Sequence, residues 1–520
     1  MLRVNRLFGS SERLARASLF AAAFSGGCWP DTASESKISR WETAMVGVPY
    51  PAMRRYEELL DRPPGLLTAT ADNIHAYYCT KPGCRNGAVR NGLQTGLPAR
   101  RIEELIDKAG SSAVMTGQEW DELTREIDGR PDFYICPSAT WSTLTERLLQ
   151  EQIIADRVPW TQRFTALGRL LNHPVAQQSA IATCASLAAD PMNQVGIEVI
   201  GAMDATAHRD ASHHVLAQLT HPTSDMTFYG ALLACVRKLE HGHFTPGESR
   251  HLASVVVSLL GDPARLDDAR LVAVSLLRRL PADVPPAVAA KLRAAVAADE
   301  ALSRVAATGR LGTSGQSAGF VARVVAAATA RMPREAPWTY DDTLATVVDE
   351  MLYDPVPDVR LEAAFLLSAT PYRAPLAAGL GAELCRCAAG ADTGLAVCIL
   401  DALRLIGGQE QRPVVERITL SPGVPAPVLV SAARNIGHMG GTSGNGYWNQ
   451  VLARHAQPPK LRASPGSAAV LRGLVYALGM ARNDGMLRRI QDLPGMPGQA
   501  RQAASWWLGQ TRRTRESAAL

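Results

Sequence analysis

Thiols, imidazoles and hydroxyls are the groups in this chain that could bind a metal or attack a substrate. His75, Cys79 and Cys84 fall close together, with Cys136 further on. Thiolates and imidazole suit tetrahedral zinc. A C-x4-C spacing without a second close pair defines no zinc motif, and isolated cysteines pack as small apolar groups. Ordinary packing is therefore the expectation, with zinc the alternative. His208, His213 and His214 cluster, as do His241 and His243, but no Cys or carboxylate completes a metal spacing. They read as solvated or loop residues. Gly315-Gln316-Ser317-Ala318-Gly319 matches G-x-S-x-G. A nucleophile elbow needs a strand before the serine, and the preceding residues read as helix. Glycine-rich loops near 309–319 and 440–446 lack the G-K-[ST] ending of a phosphate cradle. No enzyme chemistry and no cofactor are expected.

Ser34, Glu35, Ser36, Lys37, Ser39 and Arg40 form a second polar group, within seven consecutive positions. On charge alone, Lys37 and Arg40 read as solvated surface cations. What matters is the set of elements that would present them. A helix capped by Ser10 or Ser11 is expected to run to about Phe24, with Leu14, Leu19, Ala22 and Ala23 on its apolar side. Gly26-Gly27 ends it, and Cys28-Trp29-Pro30-Asp31-Thr32 forms a link. The next helix starts near Ala33 or Ser34, with Ile38 and Trp41 turned inward. A closing helix follows, where Met53, Tyr56, Leu59 and Leu60 share one face. Pro63-Pro64-Gly65 ends the group.

The run Ser36-Lys37-Ile38-Ser39-Arg40-Trp41-Glu42-Thr43 resembles the end of the recognition helix in XRE-type helix-turn-helix regulators, where S-x-x-I-S-R-W-E-x-G recurs. The resemblance implies a DNA-binding domain over residues 1–70 that places this helix in the major groove of duplex DNA. By the same resemblance, Glu35, Ser36 and Arg40 would contact bases. Ser34 and Lys37 would contact phosphates, Ser39 would face the groove, and Glu42 would hold the motif together. Two departures stand out. The link is longer than the usual turn, and Ala44 replaces a common Gly, so the helix is expected to run a turn longer. A rival reading uses the same residues as a lipoprotein signal: Arg3, Arg6, Arg13 and Arg16, a short apolar run, then Cys28. Ser25 and Glu12 fit that signal poorly.

The remaining chain is mostly scaffold. Its 520 residues exceed one compact core. Hydrophobic residues make up 47% but aromatics only 6%, a mix suited to many helices packed through small side chains. A net charge of +5 is compatible with nucleic acid without identifying it. Nine scattered cysteines point to free thiols in a reducing cytoplasm, and no apolar run is long enough to span a bilayer. Residues 71–156 read as an irregular helical connector, with helices near 101–109 and 116–127 and a short extended piece at Tyr134-Ile135-Cys136-Pro137.

Over residues 157–515 a phrase recurs: helix end, proline break, amphipathic helix. Its clearest copy begins Leu352-Tyr353-Asp354-Pro355 and continues through Val359-Arg360-Leu361-Glu362-Ala363-Ala364. This is similar to a HEAT repeat. Val359, Ala363 and Leu366 are expected inward, with Arg360 and Glu362 outward. Break prolines at 174, 222, 263, 355, 422 and 465 are spaced 48, 41, 92, 67 and 43 apart. Three spacings match a two-helix repeat of about 40–47 residues, and the 67 marks an insertion or a degenerate repeat. Trp506 and Trp507 are expected to cap the array, with Arg512, Arg513 and Arg515 in a frayed tail. The expectation is an all-α cytoplasmic protein: a helix-turn-helix head followed by a HEAT-like α-solenoid. The head would bind DNA as a transcriptional regulator, and the solenoid would hold a protein partner or a second copy as a homodimer. The alternative is a scaffold that touches no DNA.

Overall fold

The computed structural model describes residues 1–79, 98–262, 267–280, 286–334, 341–388, 390, 392–456 and 465–520. The protein is all-α. Among the described residues there is no strand, only an isolated bridge between Gly26 and Trp29. No described helix is long and apolar enough to cross a membrane. The chain forms two compact units. One comprises Leu2–Leu311, Pro355–Asp358 and Thr511–Leu520; the other comprises Gly312–Asp354 and Val359–Gln510, together with Met1.

The first unit opens with α1 (Leu2–Phe8), a 3-10 turn at Arg13–Ala15, α2 (Ala17–Phe24), α3 (Glu35–Glu42), α4 (Tyr50–Leu59) and α5 (Leu66–Tyr78). One helix is expected from Ser10 or Ser11 to Phe24; over that span the chain makes two pieces instead, the 3-10 turn and α2, with α1 before them. Arg16 is extended (φ −79°, ψ 124°), which breaks the helix, and the Arg6 guanidinium takes the Ala15 carbonyl. The expected face of α4 is largely inward, with Met53, Tyr56 and Leu60 buried. Its Glu57 accepts from the amides of Gly65 (2.8 Å), Leu67 (2.7 Å) and Thr68 (3.2 Å), capping α5. Burial pushes the Glu57 carboxyl up, against the pull of those three amides.

Next come α6 (Ala99–Gly110), α7 (Gly117–Asp128), α8 (Ala139–Gln152) and α9 (Arg157–Asn172). The start of α7 is a capping box between Thr116 and Glu119. In the Tyr134–Pro137 stretch, Tyr134 and Ile135 belong to no regular element, and Cys136 and Pro137 form a bend. An ionic cluster joins α4, α5, α7 and α9. Arg125 donates to Asp72 (3.0 Å) and Asp121 (2.9 Å), and Arg169 donates to Asp121 (2.7 Å). Tyr50, at the start of α4, donates to Asp121 (3.3 Å) beneath the Arg125 guanidinium, which lies 4.1 Å from its ring.

Burial opposes the charge on Asp121, but Arg125 and Arg169 outweigh it and hold the carboxyl at about 2. A lowered carboxyl contributes stability above the unfolded value near 3.9, and that stability is lost as pH falls toward the folded value. Between about pH 4 and 2 the first unit is therefore expected to lose roughly 2 kcal/mol from this group. Urea midpoints across that range check it, with Asp121→Asn flattening the dependence.

Beyond α9 each unit holds a succession of packed helices with others alongside. In the first unit Gly196–Gly201, Asp225–Glu240, Asp267–Leu277 and Glu300–Thr308 pack in succession, with Arg209–Thr220, Pro246–Leu260 and Pro286–Ala297 alongside. In the second unit the succession is Thr393–Ile406, Ala426–Asn435, Pro465–Met480 and Gly498–Leu508, flanked by Arg373–Cys387, Arg412–Leu420, Asn445–His455 and Asp484–Asp492. Breaks at Pro174, Pro222, Pro355 and Pro422 fall between helices, and Pro465 starts one. Pro263 lies outside the described residues. The 67-residue interval holds two extra helices, Arg373–Cys387 and Thr393–Ile406. Close approach comes from glycine as well as alanine: a Cβ on Gly437 would sit 3.0 Å from the Cα of Ala477.

Two expectations need correction here, and a third is refined. In the clearest repeat Glu362, Ala363, Ala364, Phe365 and Leu367 are buried, whereas Val359 and Leu366 are half-exposed. Trp507 is buried against Gly479, while Trp506 is half-exposed. Finally, the basic end is not frayed. Arg512–Ala518 is a helix that belongs to the first unit, where Ser517 accepts from the Met115 amide (3.1 Å) and Arg513 donates to the Ser111 carbonyl (3.1 Å).

Candidate nucleic-acid interface

Five aromatic rings make the core behind α3. Phe24 lies 5.5 Å from Trp41 and 5.7 Å from Trp29, Trp29 lies 5.6 Å from Trp41, and Tyr56 stands 4.8 Å from Phe20. These are tilted and edge contacts, the arrangements that aromatic quadrupoles favour. Ile38 is fully buried, and Trp41 nearly so. Arg55 of α4 closes the end of α2 by donating to the carbonyls of Phe24 (3.0 Å) and Ala23 (2.9 Å). The link between α2 and α3 is fixed rather than loose. Its two glycines take left-handed backbone (φ +103° and +58°), and its Trp29 is part of the core.

Beneath α3 lies an ion pair that the sequence did not disclose. Arg6 of α1 grips Glu42 with two bonds, 2.6 and 2.7 Å, and the Tyr56 hydroxyl donates to the same carboxylate at 3.2 Å. Both charged side chains are buried, at 7% and 3% exposure. Only Glu42 had been expected to be structural. Its partner lies 36 residues away in another helix, and no local spacing points to it.

The other face of α3 is open. Ser34, Glu35, Ser36, Ser39 and Arg40 are all exposed. Ser34 caps the helix by accepting from the Lys37 amide at 3.2 Å. Lys37 differs from its neighbours. Its ammonium sits 4.9 Å from the Trp29 ring and 5.3 Å from the Trp41 ring, so it caps the aromatic core as a cation–π partner. Lys37→Gln is therefore expected to destabilise the head by about 1 kcal/mol, read from tryptophan fluorescence in urea.

The expected extra turn of α3 does not form. The helix stops at Glu42, and Ala44 adopts φ +57°. The Met45 amide reaches back to the Arg40 carbonyl (2.9 Å), and the Ala44 amide reaches Trp41 (3.3 Å). This is a Schellman end with alanine in the position that favours glycine. Ala44→Gly is expected to raise stability by about 0.5–1 kcal/mol, seen as a higher urea midpoint with an unchanged slope.

The signal-peptide alternative meets the same core. Phe20, Phe24 and Arg6 all precede Cys28, so cleavage before Cys28 would remove much of what holds α3. Burial pushes the Cys28 thiol up to about 11, which keeps it protonated. Of the zinc candidates, Cys84 lies outside the described residues. Among the described residues no group of three or more His, Cys, Asp or Glu is placed to hold a metal ion. Ser317 is buried within the Ser314–Thr329 helix, with none of the geometry of a nucleophile elbow. His243 is not a solvated loop residue: it is buried and bonds the Asp204 carbonyl at 3.1 Å, beside Arg237 and Lys238. No protein-family model and no curated protein matches this chain.

Proposed function

We propose that this protein is a sequence-specific DNA-binding regulator of transcription acting in the cytoplasm. Residues 1–70 would be a helix-turn-helix head of XRE type, residues 71–156 a connector, and residues 157–515 a HEAT-like solenoid that engages a protein partner or a second copy. One observation carries this reading. A short helix buries Ile38 and Trp41 while Ser34, Glu35, Ser36, Ser39 and Arg40 stand exposed on its other side. A helix so presented fits the major groove, where Arg grips guanine with two hydrogen bonds and Glu accepts from cytosine. Lys37, drawn onto the tryptophans, has a smaller part than its charge suggested.

Gel shifts against genomic fragments test the reading. Arg40→Ala is expected to weaken the specific complex about 10- to 100-fold and to relax preference at one base pair. A parent protein with no salt-sensitive DNA complex would end it. One observation favours a scaffold that makes no DNA contact through α3. With Lys37 capping the core, Glu35 and Arg40 cancel, and the exposed face carries no net charge.

A further inference from the structure

Charge is unevenly distributed along this chain. Residues 441–510 contain eight of the 54 Lys and Arg side chains but only two of the 49 Asp and Glu. That stretch carries +6, and the rest of the chain sums to −1; its four helices hold five of the arginines against Asp484 and Asp492, a net +3. The helices Asn445–His455, Pro465–Met480, Asp484–Asp492 and Gly498–Leu508 of this stretch pack on one another in the second unit. Arg472, Arg488, Arg489 and Arg501 are exposed on them, and Arg454 is half-exposed. Among the described residues, none of these five has a carboxylate partner. Neutral oxygens receive three of them: Arg472 donates to Gln499 (3.1 Å), Arg489 to Asn449, and Arg454 to the Ser421 carbonyl (3.1 Å). Gln491 bonds Ser505 at 2.7 Å across two of the helices. Arg488 lies three residues before Gln491 and Arg501 four before Ser505, so helical spacing brings these two guanidiniums to one side.

We infer that this four-helix block binds the phosphodiester backbone of a nucleic-acid duplex without reading its sequence. Charge complementarity selects a polyanion, and guanidinium forks match phosphate oxygens. Surface character narrows the choice further. Protein interfaces and membrane-inserted surfaces need exposed apolar anchors. The exposed large apolar side chains of the described residues are Met45, Val46, Tyr78, Tyr134, Met192 and Leu520, all outside the block, where Trp506 is only half-exposed. A positively charged face without such anchors is what a phosphate backbone requires. The assignment is independent of α3.

The test uses the full chain and labelled DNA and RNA duplexes of arbitrary sequence, followed by fluorescence anisotropy between about 50 and 200 mM salt. Wild-type affinity for at least one duplex should fall about 100-fold over that range. The triple variant Arg488→Ala, Arg489→Ala, Arg501→Ala should make the log–log salt slope shallower by about 2–3 and should weaken low-salt binding at least tenfold. The corresponding triple Lys variant should retain both slope and affinity. An Ala triple with wild-type helix content and an unchanged slope would overturn the inference. So would a wild type that binds phosphatidylserine vesicles but neither duplex. Because the probes carry no chosen site, a failed α3 reading leaves this result intact.

Discussion

Replacing Glu42 with alanine is expected to destabilise the head by about 3–5 kcal/mol, the cost of leaving a buried charge without its partner. Arg6 would keep only its bond to the Ala15 carbonyl, and the Tyr56 hydroxyl would lose its acceptor. Burial works against the Arg6 charge, and Glu42 more than compensates for it. Arg6→Ala should cost a similar amount for the mirror-image reason. The informative variant is the double, Arg6→Met with Glu42→Leu. An apolar pair of similar bulk removes both desolvation costs, so the double should be more stable than either single variant. Urea unfolding followed by amide hydrogen exchange across α1–α4 reads all three. A Glu42→Ala protein with a wild-type midpoint would mean that the pair contributes nothing.

Glu151→Ala is expected to be at least as damaging, again about 3–5 kcal/mol, because one carboxylate serves two buried guanidiniums. Arg147 bonds one of its oxygens at 2.9 Å; Arg163 (3.3 Å) and the Trp120 indole (2.8 Å) share the other. Exposure of the three charged side chains is 4%, 0% and 1% for Arg147, Arg163 and Glu151. Carbonyls complete the two arginines: Lys108, Ala109, Ser111 and Ala113 around Arg147, and Pro159, Met115 and Ser517 around Arg163. Without Glu151 two like charges face each other in the core. Glu151→Gln preserves the shape and should fall between wild type and Ala. Thermal unfolding by circular dichroism separates the three, and an Ala variant within about 1 kcal/mol of wild type would refute the account.

Much of the helical layout was legible because it rests on local rules. Thr116 with Glu119 announces a capped helix, proline breaks announce helix boundaries, and Ile38 with Trp41 announces a buried face. What escaped is long-range. Arg147 and Glu151 have the spacing of an ordinary surface pair, and long-range packing from α6, α9, Gln177–Ala188 and Arg512–Ala518, with Trp120 of α7, buries them. Arg6 reads as one of several N-terminal cations until α3 folds over it. Lys37 reads as a free charge because nothing in its neighbourhood shows that Trp29, eight residues earlier, returns beneath it. Ala44 misled for a subtler reason: alanine favours a longer helix locally, yet the turn imposes the left-handed conformation regardless. The basic end looked like a tail because its docking partners lie about four hundred residues away.

The cluster beneath Tyr50 and the cap that Glu57 places on α5 have a consequence for how α3 could search a duplex. Both ends of α4 are bolted to the following helices, so no swivel separates the head from α7 and α9. Whatever α3 meets, it meets at one fixed attitude. Two copies joined through the first unit could then accept only a narrow range of distances between paired target sequences, where heads on flexible leashes would tolerate many.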